Sequence, residues 1–134
     1  MNANELMIGD WVKCEDKTAR INQIEDILCM ENENTSWFAY PEEVSPIPLT
    51  PEILEKNGFK KADFPGIDNQ HTWTLVLDTM YYVSLWTRNL HDNADEGWTF
   101  KAETSQVNGG LLLNAVHELQ HALRLCGIEK EITI

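Results

Sequence analysis

Between residues 71 and 103 the chain alternates with a period of two. In His71–Leu77, the residues Trp73, Leu75 and Leu77 alternate with Thr72, Thr74 and Val76. In Met80–Thr87, Tyr81, Val83 and Leu85 share one face, and Tyr82, Ser84 and Trp86 share the other. Trp98, Phe100 and Ala102 then alternate with Thr99, Lys101 and Glu103. Successive strand side chains point to opposite faces, so this pattern predicts antiparallel strands with one face buried and one wet. The short Asp78-Thr79 link predicts a hairpin between the first two. Residues 88–97 read as an acidic loop, and Asn108-Gly109-Gly110 breaks the chain before a final helix.

The first third follows the same logic with shorter pieces. Met7–Cys14 opens on a Gly9-Asp10 turn, and Thr18–Ile24, Ile27–Met30 and Trp37–Tyr40 follow, separated by polar clusters. Short strands joined by tight turns predict a small antiparallel barrel or curled sheet. Pro41, Pro46 and Pro48 lack a backbone donor and end that ladder. Thr50 is an N-cap, Pro51 suits the first helical position and Glu52 suits the positive helix end. Asn57-Gly58 supplies a left-handed stop, so a two-turn helix is expected there, with Phe59 folding back on its last turn. Residues 60–70 read as a loop.

A chain of 134 residues with 43 % hydrophobic residues has the size and composition of one folded domain, and residues 1–134 are read as such. The balance of 22 Asp+Glu against 10 Lys+Arg, net −12, repels nucleic-acid phosphates and suits a basic protein partner. Cys14, Cys29 and Cys126 form no C-x-x-C and no complete pairing, which points to reduced thiols and a cytoplasmic location. Met1–Glu5 carries no basic region and no signal core, and no apolar run reaches membrane-spanning length. The five Trp are expected mainly in core packing. Trp86 is the candidate for stacking a small ligand, because it shares a strand face with Ser84 and Tyr82. Asp92, Asp95 and Glu96 crowd one loop without the order of a calcium-binding loop.

His117-Glu118-Leu119-Gln120-His121 spells H-E-x-x-H. On a helix this places two imidazoles on one face, where they can bind zinc while the glutamate activates a metal-bound water. On a helical wheel of residues 111–126, however, Leu112, Ala115, Val116, Leu119, Ala122, Leu123 and Cys126 form one apolar stripe. His117 and His121 fall nearly opposite, beside Asn114, Glu118 and Arg124, and are therefore expected to face solvent. The continuation Ala122–Gly127 supplies no third ligand, and only 13 residues follow His121. His71, His91 or an upstream Asp are the remaining candidates for one. No catalytic residue, metal or cofactor is assigned on this reading. The alternative is a zinc hydrolase with His117 and His121 as ligands and Glu118 as general base.

Three stretches together carry a resemblance. They are Asn4–Val12 (N-E-L-M-I-G-D-W-V), Pro46–Leu54 (P-I-P-L-T-P-E-I-L) running to Gly58-Phe59, and Val116–His121 with Gly127 and Glu129 beyond. The chain resembles a family of small uncharacterised proteins encoded by gut bacteria and their phages and mobile elements. In that family the final helix usually reads H-Q-L-Q-N, so Glu118 and His121 are departures from it. The resemblance implies an accessory protein, and it brings no activity, substrate or site residue.

The expected fold is α+β: an antiparallel, barrel-like N-terminal part, a short middle helix, further antiparallel strands, and a C-terminal helix packed on the sheet. The leading function is a non-enzymatic cytoplasmic interaction protein of phage or mobile-element origin. A small-ligand binder using the aromatic sheet face is the other alternative.

Overall fold

The computed structural model describes every residue except 65, 67, 68, 79, 80, 89–91, 93 and 103–109. It is a mixed α+β structure with two five-stranded antiparallel sheets. The chain, read from sequence as one domain over residues 1–134, contains two compact units, both discontinuous along the sequence.

The first unit comprises Met1–Pro48 and Ala115–His121. Its strands are β1 (Trp11–Cys14), β2 (Lys17–Ile24), β3 (Leu28–Glu31), β4 (Ser36–Ala39) and β5 (Val44–Pro46), in the order β4-β3-β2-β1-β5. Consecutive hairpins build the first four strands, and β5 returns to β1 with Val12 opposite Pro46 and Cys14 opposite Val44. Alternation places Val12, Cys14, Ala19, Ile21, Leu28 and Met30 in one buried cluster. The prolines do less to break this ladder than expected. Pro41 heads a single 3-10 turn, Pro41–Glu43, and Pro46 ends an edge strand, where a missing N–H costs no sheet bond.

The second unit comprises Leu49–Asn114 and Ala122–Ile134. Helix α1 (Pro51–Lys56) starts as the sequence dictates, with the Thr50 hydroxyl accepting from Ile53 N. It ends where Gly58, at φ 87°, lets Gly58 N reach Glu55 O and Phe59 N reach Leu54 O. That is a Schellman motif, closed by the buried pair Leu54 and Phe59. The sheet runs β10 (Leu111–Leu113), β9 (Trp98–Ala102), β8 (Tyr81–Thr87), β7 (His71–Asp78), β6 (Lys60–Asp63). The expected hairpin is borne out as antiparallel pairing of β7 with β8, although its linking residues 79 and 80 lie outside the described residues. One face buries Trp73, Leu75, Val83, Leu85, Trp98 and Phe100, with the Trp73 and Trp98 rings meeting edge-on at 5.3 Å. The Trp98 indole donates to Leu49 O at 2.8 Å.

Two segments differ from the sequence expectation. The stretch read as a loop from residue 60 starts as strand β6, with Lys60 opposite Thr74 and Asp63 opposite His71. All four of its residues are exposed, so no apolar alternation betrays it. Leu111–Leu113, read as the start of the last helix, is strand β10 paired with β9. Three consecutive leucines fit either period. Helix α2 runs Val116–Leu125 and ends in a second Schellman motif, with Gly127 at φ 73° and Ile128 N bonded to Leu123 O.

Candidate functional site

Part of the polar side of α2 turns inward: His117 and Gln120 are buried and His121 is half-buried, while Arg124 is exposed. In the first unit, Met7–Asp10 forms a tight turn, with Asp10 N donating to Met7 O and Gly9 at φ 93°. The Asp10 carboxylate is completely buried and accepts from Met7 N at 2.7 Å. His121 Nε2 lies 2.8 and 3.0 Å from its two oxygens. Next to this pair, the Gln120 amide donates to Gly9 O and accepts from Trp11 N, both at 2.9 Å. The helix thus packs on the sheet by reading the backbone on both sides of Asp10. His117 is 5 % exposed, and its ring meets that of His121 edge-on at 5.6 Å.

These facts overturn the expectation that His117 and His121 face solvent. The wheel located the apolar stripe correctly for Val116, Leu119, Ala122 and Leu123, all buried. It assumed a single packed face, whereas this helix also buries His117 and Gln120 and half-buries His121, the last two bonded to the turn carrying Asp10, while Arg124 stays exposed. Leu112, placed on the stripe, is 54 % exposed and lies in β10. Burial holds the His117 imidazole below its ordinary value; the carboxylates of Asp10, Glu118 and Glu5 pull it upward without overcoming that. Its Nδ1 is buried without a hydrogen-bond partner.

The remaining candidate ligands are dispersed. The upstream carboxylate that reaches the motif is Asp10, which the sequence marked only as part of the turn that opens the first strand. His71 lies in the second unit, with Nδ1 2.5 Å from Asp92 Oδ2 and Nε2 3.6 Å from Asp63 Oδ1. Burial raises the Asp92 carboxyl, but the hydrogen bonds and charge of His71 outweigh it and hold the group below its ordinary value. His91 lies outside the described residues. Among the described residues no group of three or more His, Cys, Asp or Glu is arranged to hold a metal. The three cysteines are free thiols, and burial pushes that of Cys126 up.

The second sheet has a face that its own core does not use. Register places Thr74, Ser84 and Lys101 side by side across β7, β8 and β9, and Val76 opposite Tyr82. On this face a recess of about 360 Å³ is lined by Phe64, Tyr82 and Trp86, by Thr72, Thr74 and Ser84, and by Asp63 and Lys101. The Phe64 and Trp86 rings stand 5.6 Å apart at 62°. Thr74 Oγ1 and Ser84 Oγ are 3.1 Å apart. Tyr82 is 38 % exposed and Val76 67 %. Of the five tryptophans, Trp73 and Trp98 are core residues, while Trp11, Trp37 and Trp86 are half-buried. Alternation had already grouped Tyr82, Ser84 and Trp86; Phe64, just beyond an edge strand, carried no such signal.

No family model matches the chain, and neither a curated protein nor a solved structure matches it. Among the described residues, no helix is long and apolar enough to cross a membrane.

Proposed function

We propose that this chain is a non-enzymatic cytoplasmic binding protein, an accessory of phage or mobile-element origin, whose working surface is the open face of the second sheet. One observation carries the reading: three aromatic side chains gather around a recess on the face that strand alternation leaves wet. Such a face is ordinarily filled by polar residues, and a concave aromatic site with a few placed polar groups is the usual form of a small-ligand site. The recess offers hydroxyls, one amine and one carboxylate, and no imidazole or thiol among its lining residues. On this reading His117, Glu118 and His121 are architectural. The test is a nitrogen-resolved NMR spectrum of the labelled chain against pooled metabolites. Shifts confined to residues around Trp86 support the reading, and a panel that moves only other regions refutes it.

A second reading, a basic protein partner, is favoured by the acidic balance and by a groove in the first unit. Glu15, Glu43, Trp37 and Phe38 line this recess of about 160 Å³, and Phe38 is 68 % exposed. Lys17 Nζ already stands 5.6 Å from the Trp37 ring centroid, so this aromatic surface accepts a cation. Capture of a host protein at low salt and its release at high salt supports this reading; salt-insensitive capture counts against it.

A further inference from the structure

The chemistry of the sheet-face recess selects among ligand classes. Nucleotides and other polyanions are disfavoured, because a single lysine, Lys101, is balanced by Asp63 in a chain of net charge −12. Phe64 and Trp86 meet at 62° in an angled corner rather than a parallel slot, so a ligand ring can lie on one wall but is not sandwiched between two. The Thr72 hydroxyl already donates to Leu85 O, and those of Thr74 and Ser84 bond each other; a hydrocarbon would make no use of the acceptor capacity they retain, whereas a hydroxyl-bearing ligand does. Together these features favour a neutral ring with an apolar face and an edge rich in hydroxyls.

From this geometry we infer that the recess binds a neutral saccharide. Its C–H face lies on the Trp86 wall. Its ring hydroxyls meet Ser84 and Thr74, which bond each other and keep further acceptor capacity, with the Lys101 amine as donor and the Asp63 carboxylate as acceptor. The volume, about 360 Å³, is at the small end of ligand sites and suits one or two sugar rings. This inference rests on the open-face reading above and adds the ligand class to it.

Isothermal titration of the full chain tests it, with three sets of probes: neutral mono- and disaccharides, aromatic amino acids, and nucleoside phosphates. The expected result is saturable saccharide binding with a dissociation constant on the order of 0.1–10 mM, typical of a small polar ligand. Trp86→Ala should weaken it at least ~10-fold and Ser84→Ala by a smaller factor, while Trp86→Phe retains part of the binding. Circular dichroism of each variant identifies loss of fold, and the phenylalanine variant, which keeps an aromatic wall, then carries the test. Aromatic acids or nucleotides binding at Trp86 where sugars do not would overturn the ligand class and leave the open-face reading standing. No binding by any probe set would overturn both. Saccharide binding unchanged in Trp86→Ala would overturn the site.

Discussion

Replacing Gln120 by leucine isolates the claim that the polar side of α2 is architectural. Its amide is 7 % exposed and satisfies two backbone groups of the first unit, Gly9 O and Trp11 N, both at 2.9 Å. Leucine removes both hydrogen bonds. Losing a hydrogen bond at a buried group costs roughly 1–3 kcal/mol, and these two are part-buried, giving about 2–4 kcal/mol together. With a urea dependence of about 1–3 kcal/mol per molar, the midpoint should fall on the order of 1–2 M. Gln120→Glu keeps an acceptor for Trp11 N but sets an oxygen against Gly9 O, and should lose about half as much or more. Hydrogen exchange locates the effect: the Trp11 amide should exchange faster in Gln120→Leu than in the parent. A midpoint within about 0.3 M of the parent, with Trp11 exchange unchanged, would refute the structural account of this helix face.

Three further outcomes are expected. Because the His117 imidazole sits below its ordinary 6.5, the unfolded chain binds that proton more readily, so stability is full above about pH 6.5 and declines as pH falls from there toward the folded value; His117→Phe should flatten the decline in pH-dependent urea titrations, and an unchanged slope would exclude His117 as its source. Gly97→Ala should cost at least ~2 kcal/mol in thermal or urea unfolding, because φ is 90° and the new Cβ would overlap Asn114 Oδ1 and stand 3.1 Å from Leu113 O; Gly66→Ala, at φ 78° with nothing within 4 Å, should cost only ~1 kcal/mol. Elemental analysis of protein purified without added metal should find zinc well below one per chain, whereas near-stoichiometric zinc that disappears in His117→Ala would restore the hydrolase reading of His117, Glu118 and His121.

Local rules made much of this fold readable in advance. Thr50, Pro51 and Gly58 define α1 because caps and stops act within one turn, and the alternation in Trp73–Leu75 and Trp98–Ala102 sorts two faces because strand geometry has an exact period. The same period groups Tyr82, Ser84 and Trp86 on one face. Strand β6 escaped, since Lys60–Asp63 is exposed throughout and its only cause is the partner strand it pairs with. Phe64 joined the recess for the same reason.

What the sequence alone determined was the class of elements, the buried strand faces and the helix ends, all consequences of interactions between residues a few positions apart. Tertiary structure decided the fate of H-E-x-x-H. Asp10 and His121 are 111 positions apart, and only folding brings a buried carboxylate to the imidazole and turns a helix side that reads as wet into a packed one. A helical wheel records the polarity of a side chain but not the groups that await it, and Gln120 is buried because Gly9 O and Trp11 N satisfy its hydrogen bonds.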